Sequence, residues 1–215
     1  MYRVFAGSEA GQYPRDFEGI LRLRHRVFNE RMNWAVSSSQ GMERDRFDDL
    51  DPIYFASVND HGFVDGTWRL LPTTGPYMLS DVFPFLLDGR PVPRSPLVWE
   101  MSRLALERDN EIMMRAAPGE PAACTMAVLF AAAMEWCMFK GVLELVVVHD
   151  ARMARITKRL LGYPATWETR PFDIDGVRTT AAQYRIDSPM AFRMRTGIAE
   201  PVLNLEGDLQ ETGAA

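Results

Sequence analysis

The order of segments in this 215-residue chain predicts an α+β fold, or a three-layer sandwich on a mixed sheet. Three observations carry that expectation. Apolar strand-like and helix-like segments interleave as strand, helix, hairpin, strand, helix, strand, helix, strand, and such an order must bury sheet faces against helices. The hydrophobic fraction of 47% and charged fraction of 25% are those of a globular domain with one sizeable core. A glycine-rich G-x-G-x-x-G turn between a strand and a helix is missing, which argues against a dinucleotide-binding domain.

Residues 1–6 read as a short strand. Residues 14–31 read as one amphipathic helix with Pro14 near its start, where a missing N–H costs nothing. Phe17, Ile20, Leu21, Arg24, Val27 and Phe28 recur at helical spacing on one face. Residues 35–52 are polar and read as a long loop. The run YFASVNDHGFVDGTWRLLP reads as two strands joined at Asp60-His61-Gly62. Residues 72–97 hold many prolines and glycines and predict an irregular excursion with a short helix near Leu79–Phe83. Residues 98–107 alternate as a strand. Residues 121–140 form the strongest helix, with Gly141 as its stop. Residues 143–149 read as a buried strand, residues 151–161 as a basic helix, and residues 177–187 as a late strand after an Asp175-Gly176 turn. One domain is expected over residues 1–204, with a frayed tail over 205–215.

Composition narrows the function. The net charge of −5 disfavours nonspecific nucleic-acid binding. There is no run of 18 apolar residues and no secretory-type N-terminal stretch, so the expected location is the cytoplasm, without a membrane span. Cys124 and Cys137 fall in one helical segment, too far apart along it for a disulfide, and read as reduced packing residues. His25, His61 and His149 are scattered without metal-ligand spacing, so no metal is expected.

Several charged residues stand where a plain core would place apolar ones. Arg24 lies in the apolar stripe of the first helix; its stem could pack while its head reaches water. Asp45 and Asp48 belong to a run of five acids within nine residues, GMERDRFDDLDP, which is either a solvated loop or a cluster that holds a cation. Arg69 ends one strand, and Glu100 and Arg103 share another. Strand parity puts Glu100 and Ser102 on one face and Arg103 on the other, unless a bulge intervenes. A Glu–Arg pair on an inner strand is either structural or a general base beside a substrate clamp. Phe28 and Trp34 fit core positions or the wall of a pocket for a cationic ligand.

Taken together, RLRHRVFNERMNW, ERDRFDDLDPIYF, GTWRLLPT, LSDVFPFL and WEMSR resemble the acyl-homoserine-lactone synthase family of bacterial quorum sensing, over about residues 20–105. The resemblance implies a fold like that of the GNAT N-acetyltransferases. It implies S-adenosylmethionine (SAM) as one substrate and an acyl thioester, usually on acyl carrier protein (ACP) but in some members on CoA, as the other. No cofactor is implied, since SAM is consumed. Arg24, Phe28, Trp34, Asp45, Asp48, Arg69 and Phe83 would form the SAM pocket, the acids offsetting its positive groups and an arginine forking its carboxylate. Glu100 would be the base that deprotonates the SAM amine, with Arg103 beside it. Backbone N–H groups near residues 103–105 would hold the oxyanion.

The second half of the chain would bind the acyl group. Met126, Leu129, Phe130, Val146, Val147 and Val148 are the expected lining. A valine at 147 offers no hydroxyl to an oxo group, which points to a donor without a 3-oxo substituent. The segment MRAAPGEPAAC is poor in glycine for a pyrophosphate loop, which favours ACP over CoA. Arg152, Arg155, Lys158 and Arg159 would dock that acidic carrier, with Arg152, Arg155 and Arg159 on nearly one helical face. The rival readings are another GNAT-like acyl-CoA N-acyltransferase and a non-catalytic SAM- or acyl-sensing module.

Overall fold

The computed structural model describes residues 1–107, 125–186, 188–198 and 200–203. The first turn of the expected long helix, Cys124, the MRAAPGEPAAC segment and the tail from 205 lie outside the described residues.

Strands β1 (Tyr2–Ala6), β4 (Ile53–Val58), β5 (Val64–Pro72) and β6 (Val98–Leu106) form the antiparallel half of the sheet. Between β1 and β4 the chain runs through α1 (Pro14–Arg24) and a two-strand ribbon, β2 (Ser38–Ser39) with β3 (Met42–Glu43). Helix α2 (Met78–Asp81) lies between β5 and β6. Beyond β6 come α3 (Thr125–Lys140), β7 (Glu144–Asp150), α4 (Ala151–Leu161), the short strands β8 (Trp167–Glu168) and β9 (Phe172–Ile174), β10 (Val177–Arg185) and α5 (Pro189–Thr196). The sheet order is β1-β4-β5-β6-β7-β10-β8, with β9 on β10. Among the described residues only the β6–β7 pair is parallel; β10 returns antiparallel to β7.

Strand alternation sorts the side chains into layers. Tyr54 and Ala56 pack with Ile20, Leu23, Val27 and Phe28 on the α1 side, while Phe55 faces α3 with Trp68 and Leu70. Helix α3 is buried from Met126 to Cys137 and apolar on nearly every side, Glu135 excepted, as a helix wedged in a core must be. Burial pushes the Cys137 thiol well above its ordinary range, consistent with a packing role. Gly66 lets α3 approach: a Cβ there would stand 2.5 Å from Thr125 Cγ2 and 3.0 Å from Leu129 Cδ1. No helix among the described residues is long and apolar enough to cross a membrane.

The structure departs from the sequence reading in five places. The helix expected over 14–31 is α-helical only to Arg24 and continues as a π-helical turn, His25–Arg31. There Met32 N–H reaches back five residues to Val27 O at 3.0 Å, which widens the turn. The polar loop 35–52 contains β2, β3 and a 3-10 turn, Arg46–Asp49. The short helix starts at Met78 and stops at Asp81. Strands β8 and β9 were not foreseen, being too short to show a period. Helix α5 was also missed, although Ser188 caps it by accepting Ala191 N–H and Pro189 opens it.

Candidate active site

The parallel register runs only from Val98–Glu144 to Met101–Val147. Beyond it β6 continues to Leu106 and β7 to Asp150 without pairing, so the two strands part. Their separation opens a cleft of about 960 Å³, lined by Phe28, Trp34, Asp45, Phe83, Glu100, Met101, Ser102 and Arg103 toward α1 and α2. Toward α3 and α4 it is lined by Phe130, Met134, Leu145, Val147, His149 and Met153, and Val148 reaches it from the opposite sheet face.

Behind this wall stands a charge cluster. Arg24, 1% exposed, gives its Nη1 and Nη2 to the two oxygens of Asp48 at 2.8 and 2.9 Å, and its Nε to Glu43. Arg69 gives Nη1 to Asp48 Oδ1 and Asp45 Oδ1, both at 2.7 Å. Tyr54 O–H and Asp45 N–H also donate to Asp48, at 2.7 and 2.8 Å. Arg103 completes the set, with Nη2 2.7 Å from Asp45 and 3.1 Å from Glu43. Three guanidinium groups thus meet three carboxylates. Burial alone would raise the Asp48 carboxyl, but the hydrogen bonds and charge of Arg24, then the charge of Arg69, hold it well below the usual range.

This revises the expectation for the acidic run. It does hold cations, but they are the protein's own arginines. Arg24, Asp48 and Arg69 are absent from the cleft wall, and their polar atoms are engaged with one another. They frame the pocket, whereas Phe28, Trp34, Asp45 and Phe83 face it. Glu43, fully buried and bridging Arg24 to Arg103, was missed as a site residue. Its signal was its place two residues before Asp45 in the same acidic run. Tyr54 was missed as well.

The aromatic wall is ordered by the same charges. Phe28, brought inward on the π-helical turn, stacks on Trp34 with centroids 5.4 Å apart and planes 3° apart. The Arg103 guanidinium lies 5.5 Å from the Phe28 ring centroid, a cation–π distance.

Strand β6 carries a bulge here. Thr67 opposes Ala105 and Arg69 opposes Ser102, so Arg103 and Leu104 together face Trp68. Arg103 takes φ +58°, a left-handed conformation that strains a residue with a side chain. The bulge overrides strand parity and turns Arg103 toward Asp45, where Arg69 also lies; Arg69 in turn has its Nε 3.4 Å from Ser102 Oγ. The Glu100 carboxylate is 1% exposed and accepts Met78 N–H at 2.9 Å and Leu79 N–H at 2.7 Å. Burial pushes its pKa up to about 7, against those two amides and the nearby Arg69 and Arg103 charges. The α2 amides that hold it were not foreseen.

Of the residues expected to line the acyl pocket, Phe130 and Val147 line the cleft on the α3 side and Val148 on the opposite sheet face. Met126, Leu129 and Val146 do not: the first two are core residues of α3, and alternation turns Val146 to the opposite sheet face, with Leu79 and Leu86. On α4, Arg152, Arg155 and Arg159 are exposed together, while Lys158 is drawn into an ion pair with Glu168.

A mixed sheet whose one parallel pair opens beside a buried, proton-poised carboxylate is a GNAT-like acyltransferase architecture. The model of the autoinducer synthase family matches residues 10–189, and the chain belongs to that family. It is 31% identical to an acyl-homoserine-lactone synthase of Aeromonas salmonicida over 97% of each chain. It is 37% identical to one of Aliivibrio fischeri over 67% of this chain and 72% of that one. Among solved structures it is similar to the CoA-dependent acyl-homoserine lactone synthase BjaI with SAM and isopentyl-CoA, at a TM-score of 0.78 and 27% identity over 94% of this chain and 91% of that one.

Proposed function

We propose that the cleft joins an acyl thioester to the amine of SAM and then closes the product to an N-acyl-homoserine lactone, a quorum-sensing signal. The observation that carries this reading is the opening between β6 and β7, with Glu100, Arg103 and an aromatic wall toward one side and an apolar slot toward the other. SAM would lie against Phe28, Trp34 and Phe83, with Arg103 nearest its carboxylate and Asp45 nearest its positive groups.

Glu100 takes a proton from the SAM ammonium, directly or through a water. A base near 7 is well matched to an α-ammonium of about 8. The freed amine attacks the thioester carbonyl, a C–N bond forms, and backbone N–H groups of the bulged stretch of β6 near 103–105 hold the oxyanion. Collapse breaks the C–S bond and the carrier thiolate leaves with a proton. The SAM carboxylate oxygen then attacks its own γ-carbon and the sulfonium departs as methylthioadenosine. Both leaving groups depart unaided, so the reaction needs no cofactor or metal, and orientation supplies the second step. In this reading both substrates are drawn from the cytoplasm, which supports a cytoplasmic location for the reaction.

The donor in this reading is acyl-ACP, docked on Arg152, Arg155 and Arg159. Acyl-CoA is the second reading, favoured by the similarity to BjaI. Incubation with carboxyl-labelled SAM and matched acyl-ACP and acyl-CoA donors tests both. Organic-extractable label with methylthioadenosine release is the expected result, and the lower KM identifies the carrier. SAM binding without lactone from any donor would favour the sensor reading.

A further inference from the structure

The apolar slot has a polar floor that neither half-reaction uses. On the α4 side of β7 and β10, among the described residues, His149 Nε2, Thr180 Oγ1 and Tyr184 Oη are buried without a hydrogen-bond partner. They form one group. Thr180 stands directly opposite His149 in register, so the two side chains share a sheet face. Tyr184 lies opposite Leu145, four residues further along, yet the His149 and Tyr184 ring centroids are 6.2 Å apart. His149 and Tyr184 line the cleft, and Tyr184 is 3% and Thr180 5% exposed. The charged neighbour on this face, Glu168 opposite Ala182, is spent on Lys158. Burial pulls the His149 imidazole down to about 4, so at neutral pH this floor is uncharged.

Two of these orphaned polar atoms, on His149 and Tyr184, stand at a slot walled by Phe130, Met134, Leu145, Val147 and Met153, with Thr180 buried beside His149, an unfavourable arrangement for a plain alkyl chain. Each buried donor or acceptor left unpaired carries a desolvation cost. We propose that His149 and Tyr184 form a recognition subsite for a hydroxyl group on the acyl chain, with Thr180 beside His149 on the same sheet face. A hydroxyl donates one hydrogen bond and accepts two, which can match one phenol hydroxyl and one imidazole nitrogen. The reacting carbonyl must lie beside Glu100 and Arg103 on β6, while β10 is two strands away, about 10 Å at ordinary sheet spacing. The recognised hydroxyl therefore sits several carbons from the thioester. This deepens the proposed function and rests on it.

The test compares kcat/KM for donors of short, medium and long chain, each plain, with a mid-chain hydroxyl, and with a terminal hydroxyl. For at least one length, wild type should prefer the hydroxylated donor over the plain one by tenfold or more. Tyr184→Phe and, separately, His149→Phe should each lower that preference ratio by about tenfold, the effect of one hydrogen bond to a substrate. Equal use of plain and hydroxylated donors by wild type would overturn the subsite while leaving lactone synthesis intact. So would variants that shift Tm but not the ratio, since these atoms would then bind only resident water. Absence of lactone from every donor would overturn the proposed function and the subsite with it.

Discussion

Replacing Asp48 by Asn tests whether the buried charge cluster holds the site together. The Asp48 carboxylate accepts from Arg24 Nη1 and Nη2, Arg69 Nη1, Tyr54 O–H and Asp45 N–H. An amide can keep only the oxygen side of this set. If nitrogen replaces Oδ2, the donors Arg24 Nη2 and Asp45 N–H each face another donor; if it replaces Oδ1, three donors do. The cluster also moves from three charges of each sign to one net positive charge buried beneath the cleft. Breaking a buried pair by removing one partner costs about 3–5 kcal/mol, a large share of a typical total of about 5–15 kcal/mol. Urea unfolding should therefore show the midpoint lowered by about 2 M at a slope near 2 kcal/mol/M.

The pH dependence gives a second reading of the same substitution. The folded-state pKa of Asp48 is depressed, so its stabilisation is fully present above the unfolded value of about 3.9. It is lost as pH falls toward the folded value. The difference between wild type and Asp48→Asn should be constant from about pH 5 to 8 and shrink below about pH 4. A loss under about 1 kcal/mol, or a difference that does not shrink in acid, would refute the account of Asp48 as the hub.

Glu100→Gln should bind SAM within a few-fold of wild type and lose about 10²–10⁴ in turnover. The base must be deprotonated to act, so wild-type kcat/KM should rise with pH through about 7, and that limb should vanish in the variant; wild-type turnover would rule Glu100 out as the base. Reversing charge at Arg155 and Arg159 together should raise KM for an ACP-borne donor roughly tenfold or more while moving a CoA donor far less, because surface charges act chiefly on encounter with an acidic partner. Gly66→Ala drives a Cβ to 2.5 Å from Thr125 and should cost about 1–3 kcal/mol, a Tm drop of roughly 3–10 °C by differential scanning fluorimetry.

The sequence by itself determined which segments are helix and strand wherever periodicity was long. It also placed Arg24 in an apolar stripe, the acids in one run, and Glu100 three residues before Arg103. Those are local facts, set by residue type and spacing along the chain. It could not say which charges face substrate. Pairing Arg24 with Asp48 and Arg103 with Glu43 closes loops of 24 and 60 residues, and only the packed fold decides which carboxylate each guanidinium finds. The same holds for Arg103, whose strand parity was legible but whose bulge depends on the register β5 imposes on β6. It holds for His149, Thr180 and Tyr184 too, unremarkable in three separate stretches of sequence. They become one polar group only where β10 returns antiparallel to β7 beneath α4.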